Sequence, residues 1–284
     1  MLPGTELEVW RRGSEVFRRH IEPDPDLGYG PILGTDAYDQ YGTLRNDYQL
    51  EKTKGVVRLL FIGDSVTSRG KIVAALRERC GEGFEYWNAG VEGYNTRQEV
   101  AWYLRHNWRI RPDHVILTLH PNDFSAGLVA VDDEEGKLAM FATGNRFDLS
   151  SPWLFRHSEI YRRYVLARAS LMSPYTVEDG IADVRKALER LRDRLRTDDV
   201  GLSIVVLPTI RPPTEWTDSD RRVHTAALGV VSELSVRAFD LLPALNRAVA
   251  DHLPLGEIPG DTWHPSRELA GVMAEHLIAA KLLH

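Results

Sequence analysis

One cysteine in 284 residues leaves Cys80 without a partner for an internal disulfide and rules out a Cys/His zinc cluster. No apolar stretch approaches the roughly 18 residues of a membrane span. Positive charge is not in excess either. Lys and Arg number 35 against 41 Asp and Glu, a net charge of −6 with both signs interspersed, so the basic face that a nucleic-acid partner requires is missing. The opening Met1-Leu2-Pro3-Gly4-Thr5-Glu6 has no basic stretch leading into an apolar one, hence no visible signal peptide. A complete chain would be expected in the cytoplasm and a trimmed one could be exported. Internal repeats and low-complexity tracts are also absent. What remains is an ordinary globular composition, 43% hydrophobic and 27% charged. The length fits one large α/β domain or two small domains, and suffices to bury a core without disulfides or metals.

Residues 1–54 are polar and dotted with aromatics. Leu7 to Ile21 has mixed helical periodicity around Trp10, Val16 and Phe17, and Glu22 to Pro31 is dense in turn formers and reads as a loop. This stretch is taken as an N-terminal extension packed on a main domain, 55–284. That domain opens with Val57-Arg58-Leu59-Leu60-Phe61-Ile62, a short apolar run of the kind found in buried parallel strands. A helix is expected from Thr67 to Cys80, with Cys80 a small buried side chain at its end. Phe84–Asn88 reads as a second strand. Thr96-Arg97-Gln98-Glu99 then opens a helix with a capping-box pattern. Val115–Leu119, Gly201–Leu207 and Val236–Asp240 are three more strands, with a helix carrying Val184, Leu188, Leu191 and Leu195 between the first two. A final helix covers about Ser266 to Leu282, with Pro265 suited to its first position. An insertion at about 124–180 holds a hairpin, 128–131 with 138–141 around Asp132–Gly136, and a helix with Trp153, Ile160, Tyr161 and Val165. It reads equally as a lid or as a cover over a sheet edge.

Strands alternating with helices predict a parallel sheet covered on both faces, with ligands at the carboxyl ends of the strands. Four short blocks fall at such places. Gly63-Asp64-Ser65 follows the first strand where a helix begins. A serine there can attack a carbonyl while its own N–H steadies the oxyanion. Asn88-Ala89-Gly90-Val91-Glu92-Gly93-Tyr94 follows the second strand, and its glycines allow backbone N–H groups near a ligand. His120-Pro121-Asn122-Asp123 follows the third, where the Asn122 amide is a further donor. Asp261-Thr262-Trp263-His264 precedes the last helix. His264 is a general base, and a carboxylate three residues earlier can fix its tautomer. Taken singly, each block is an ordinary cap or βα turn. Their joint placement carries the reading.

In this order the four blocks resemble the SGNH (GDSL-like) hydrolase superfamily, and they span most of the chain, from 63 to 264. The resemblance implies a flavodoxin-like three-layer α/β/α sandwich with a five-stranded parallel sheet. It implies a triad of Ser65, His264 and Asp261, and an oxyanion hole of the Ser65 N–H, the Gly93 N–H and the Asn122 amide, with no metal and no cofactor. Residues 1–54, with Gly42-Thr43-Leu44-Arg45, also look like the N-terminal segment of some bacterial members. One position departs from the pattern. The third block usually reads Gly-x-Asn-Asp, and His120 stands in place of the glycine, either as a contact at the rim or as a packed strand-end residue. Tyr94 and Trp263 are further candidate substrate contacts. The expected activity is ester hydrolysis through an acyl-serine, with a small acyl group on a carbohydrate or other polar molecule as substrate. Two alternatives share the residues: an O-acyltransferase acting on a glycan or metabolite, and a non-catalytic carbohydrate-binding module.

Overall fold

Five runs of aliphatic and β-branched residues pair side by side in the computed structural model, which describes residues 9–10, 20–24, 26–132, 138–142 and 175–283, with isolated positions between 151 and 168. The strands are β4 (Val57–Ile62), β5 (Phe84–Asn88), β6 (His114–Leu119), β9 (Gly201–Val206) and β10 (Arg237–Asp240). Their order across the sheet is β5-β4-β6-β9-β10 and every neighbouring pair is parallel. This is the flavodoxin-like order, with the first strand inside the second. Both faces are covered, so side chains alternate between two cores. Leu59 and Phe61 of β4 face one side, Leu60 and Ile62 the other.

The first core is closed by α2 (Lys71–Cys80), α6 (Leu242–Ala250) and α7 (Arg267–Ala279), through Leu76, Leu245 and Met273. The second is closed by α3 (Thr96–Arg105), α4 (Val177–Thr197) and α5 (Asp218–Glu233), through Val100, Leu191 and Val230. The α/β/α layering expected from the sequence is thus the observed one. Among the described residues no helix is long and apolar enough to cross a membrane.

Several local expectations are corrected. Glu22 to Pro31 is not a loop: β2 (Ile21–Asp24) and β3 (Gly28–Pro31) form an antiparallel hairpin. An isolated two-stranded ribbon tolerates Pro23 and Pro31 because each strand has an unpaired side. The helix after Ser65 is broken into α1 (Ser65–Ser68) and α2 by Gly70 at φ 66°. The capping box of α3 lies one residue early, on Asn95 and Gln98, which leaves Thr96 and Glu99 facing inward. Pro265 sits outside α7, whose N-cap is Ser266. Cys80 is half-buried rather than buried.

Outside the main sheet, β7 (Leu128–Asp132) and β8 (Leu138–Ala142) make the expected hairpin, whose turn lies outside the described residues. A third strand joins it: β1 (Val9–Trp10) pairs with β8, where a helix was expected, and the rest of that helix lies outside the described residues. Trp153, Ile160 and Tyr161 are helical as expected, while Val165 is not described. The segment 20–44 packs on the main domain through a third apolar cluster, in which Ile21, Leu27, Tyr29 and Tyr38 meet Val91, Tyr94 and Trp102.

Candidate active site

The Gly63-Asp64-Ser65 turn leaves β4 and enters α1 directly. Asp64 caps that helix, its carboxylate accepting the Val66 N–H at 2.9 Å. Gly63 is needed for close approach: a Cβ there would lie 2.1 Å from Thr67 Oγ1. Ser65 Oγ then stands 2.9 Å from His264 Nε2, across 199 positions of sequence. The opposite ring nitrogen, Nδ1, is 2.9 Å from Asp261 Oδ2. A carboxylate can only accept, so Nδ1 carries the proton and Nε2 is left to accept from the serine hydroxyl. The other Asp261 oxygen accepts the Trp263 N–H at 2.9 Å and the His264 N–H at 3.1 Å. Burial by itself would raise the Asp261 carboxyl, but these hydrogen bonds outweigh it and hold the group below the usual carboxylate range.

The loop carrying Gly93 is tied to the serine turn. Val91 N–H donates to Gly63 O at 3.0 Å and Asn88 Nδ2 to Thr67 O at 2.6 Å. Gly93 has φ 76°, and a Cβ there would meet Leu128 Cδ1 at 2.8 Å and Tyr29 Oη at 2.9 Å. Its N–H and that of Ser65 are engaged by no acceptor among the described residues. Asn122 stands on the turn after β6. One N–H of its amide donates to Tyr94 O at 3.3 Å, and its Oδ1 lies 2.8 Å from His120 Nδ1. Backbone and amide donors so arranged can take a developing negative charge on a carbonyl oxygen.

Beneath this surface lies a buried charged layer that sequence reasoning missed. His120 and Asp64 are each 1% exposed and form an ion pair at 3.3 Å. Burial alone would strip the His120 proton, but the Asp64 charge raises its pKa, and His120 in turn holds Asp64 low against the same burial. Glu99 and Asp123 are buried near Asp64, and burial followed by neighbouring negative charge pushes both carboxyls up. The only trace of Glu99 in the sequence was its place in a helix-opening pattern that suggested a solvated cap.

Of the predicted site residues, Ser65, His264 and Asp261 are joined by hydrogen bonds, and Gly93 and Asn122 are linked through the residue between them in space, Tyr94. Two expected substrate contacts are corrected. Of the two readings of His120, the packed strand-end residue is the observed one, and the contact at the rim is not. Tyr94 is fully buried too, its hydroxyl donating to Tyr29 O at 2.7 Å. Trp263 is 48% exposed beside His264, its ring edge-on to His120 with centroids 5.3 Å apart. Around the rim, Glu257 receives Arg69 at 2.6 Å and Lys71 at 3.1 Å. Glu257, Asp261 and His264 are close enough together to hold a cation. Their ligand atoms, however, are engaged by Arg69, Lys71 and one another.

No protein-family model and no curated protein matches the chain. Solved structures do. An α/β hydrolase, LAE5, from the metagenome of Lake Arreo superposes with a TM-score of 0.51 at 18% identity, covering 79% of this chain and 94% of its own. A catalytic mutant of Axe2, an acetylxylan esterase from Geobacillus stearothermophilus, gives 0.51 at 16% identity, covering 80% and 95%. The acetyl xylan esterase AlAXEase gives 0.50 at 13%, covering 79% and 99%. The chain has the fold of these hydrolases, the one implied by the resemblance of its four blocks to the SGNH superfamily.

Proposed function

We propose that this protein is a serine esterase that works through an acyl-Ser65 intermediate. The unbroken chain Ser65 Oγ–His264 Nε2, His264 Nδ1–Asp261 Oδ2, each link 2.9 Å, carries the reading. His264 takes the Ser65 proton as Oγ attacks the ester carbonyl, and the Asp261 carboxylate stabilises the imidazolium that forms. The N–H groups of Ser65 and Gly93 and the Asn122 amide hold the oxyanion. On collapse, His264 Nε2 returns the proton to the leaving alcohol. A water then attacks the acyl group with the same imidazole as base, releasing the acid and restoring Ser65. None of these steps calls for a metal or cofactor.

The substrate class proposed is a small acyl group on a carbohydrate or similar polar molecule. An exposed Trp263 beside the base offers a face on which a sugar can stack. The charged rim of Arg69, Lys71 and Glu257 favours a polar alcohol part over a long acyl chain. That two acetylxylan esterases share the fold is in keeping with this. The test is turnover of aryl esters of increasing chain length and of acetylated sugars by wild type and Ser65→Ala. Hydrolysis confined to short acyl groups and abolished by the substitution is expected. Wild-type turnover in Ser65→Ala would remove the serine assignment. Acyl transfer to an added sugar in place of free acid would make the protein a transferase.

A further inference from the structure

Within the second block, the Tyr94 N–H closes a turn onto Val91 O at 3.2 Å, but a flip of the central Glu92–Gly93 peptide leaves that bond in place, so the turn does not by itself aim the Gly93 N–H at the site. A glycine at φ 76° leaves the adjoining peptide free to rotate at little cost, so the donor must be held by something else. The structure supplies a clamp from outside the blocks. Tyr29, on the β3 strand of the N-terminal hairpin, donates its hydroxyl to Glu92 O at 2.5 Å. The Glu92–Gly93 peptide is planar and trans, so its C=O and N–H point in opposite directions and fixing one fixes the other. On the far side of the glycine the clamp closes in reverse, with the Tyr94 hydroxyl donating to Tyr29 O at 2.7 Å. The two rings meet edge-on with centroids 5.0 Å apart. Tyr29 is fully buried, and Gln98 Nε2 anchors the hairpin further by donating to Leu27 O at 2.6 Å.

From this geometry we infer that Tyr29 is a positioning residue for the oxyanion hole, locking the Glu92–Gly93 peptide so that the Gly93 N–H faces the reacting carbonyl. Tyr29 thus acts on the catalytic apparatus from outside the four blocks. The inference rests on the esterase reading above. Burial raises the phenol pKa well beyond its usual value, so the hydroxyl remains a donor across the working pH range.

Tyr29→Phe removes the hydroxyl and keeps the ring. Tyr38→Phe is the matched control: it is another buried tyrosine of the same segment, and its hydroxyl bonds Gly90 O at 3.2 Å, in the same loop but off the Gly93 peptide. With a short-chain aryl ester, Tyr29→Phe should lower kcat on the order of 10-fold, a part of the ~100-fold or more that follows outright loss of an oxyanion donor. KM should stay within about twofold, the pattern of an interaction made only in the transition state. Inhibition by a tetrahedral boronic acid should weaken by the same factor as kcat, and Tyr38→Phe should behave as wild type. Equal losses in the two variants, a loss confined to KM, or unchanged kcat in Tyr29→Phe would overturn the inference. Should Tyr29→Phe not fold, fluorotyrosine at position 29 varies the donor strength of the hydroxyl, and a kcat indifferent to it is the overturning result. Wild-type protein that hydrolyses no ester removes the esterase reading and this inference together. Wild-type turnover matched by Tyr29→Phe removes the inference alone.

Discussion

The two ends of the central sheet bury charge in opposite ways. At the amino end, Arg58 of β4 is 1% exposed and well partnered. Its guanidinium donates to Glu85 at 2.6 Å and to the carbonyls of Leu50, Ile110 and Gln49, and it lies over the Trp87 ring. Glu85 accepts Trp87 Nε1 as well, at 2.9 Å. At the carboxyl end, the layer under Ser65 is short of partners. Both Glu99 oxygens and His120 Nε2 are buried with no hydrogen-bond partner among the described residues. Unpaired buried polar groups cost stability, so the cluster under Ser65 is a local sacrifice at the end that bears the chemistry, although unpaired buried atoms such as His106 Nδ1 and Asn107 Oδ1 occur outside it too. One end braces the fold and the other holds a site.

That contrast can be broken at either end. Ser65→Ala should reduce ester turnover by roughly 10⁴-fold or more while leaving the thermal midpoint where it was. Coupled loss of stability would mean that the serine is structural. Arg58→Met should do the reverse. Removing one partner of a buried pair leaves Glu85 uncompensated and costs ~3–5 kcal/mol in urea unfolding, with kcat of the folded fraction retained. A destabilisation near zero would show that the amino-end pair braces nothing. Asn122→Ala should lower kcat on the order of 100-fold, the usual loss for an oxyanion donor, and an unchanged kcat removes Asn122 from the hole.

The smallest effect concerns pH. A carboxyl whose pKa is raised on folding keeps its proton longer in the native state than in the unfolded chain, so stability falls as pH rises above the ordinary carboxylate range. Glu99 and Asp123 both have this sign. His120, also raised, adds to it as pH climbs through its native pKa. His106 and His114, whose burial holds their rings below the usual imidazole range, pull the other way over the same interval, so the test is a difference: the urea midpoint of Glu99→Gln relative to wild type should rise from about pH 5 to pH 8. An identical slope in the variant would mean that Glu99 does not titrate with the fold.

The sheet was readable from the chain because strands buried on both faces must be continuous apolar runs, as Leu59–Ile62 and Val115–Leu119 are. Ser65, Asp261 and His264 were readable because their blocks sit where such strands end or the last helix begins. What could not be read depends on partners distant in sequence. Arg58 passed unremarked within an apolar run, and its complement Glu85 lies 27 positions away. Glu99 and Thr96 matched a capping pattern, but capping passed to Asn95 and turned both inward. Tyr29 sat in a stretch whose prolines and glycines signalled a loop, and its contact with Glu92 spans 63 positions. His120 was noticed as a departure from a pattern, with a packed strand-end position as one of its two readings. Its burial against Asp64 follows from packing that no local rule encodes.

The short pairing of Val9 with Phe141 and of Trp10 with Met140 has a consequence for synthesis. The partner of β1, β8, is synthesised more than a hundred positions after it. At translation rates of about 5–20 residues per second, the interval is roughly ten seconds. Throughout it, β1 lacks its partner, and an unmatched strand edge is a template for pairing with other chains. The parallel sheet can start to assemble in that time, but the three-stranded sheet beside it cannot. A nascent chain arrested before residue 138 should thus expose this edge, and one arrested well past 142 should have it covered.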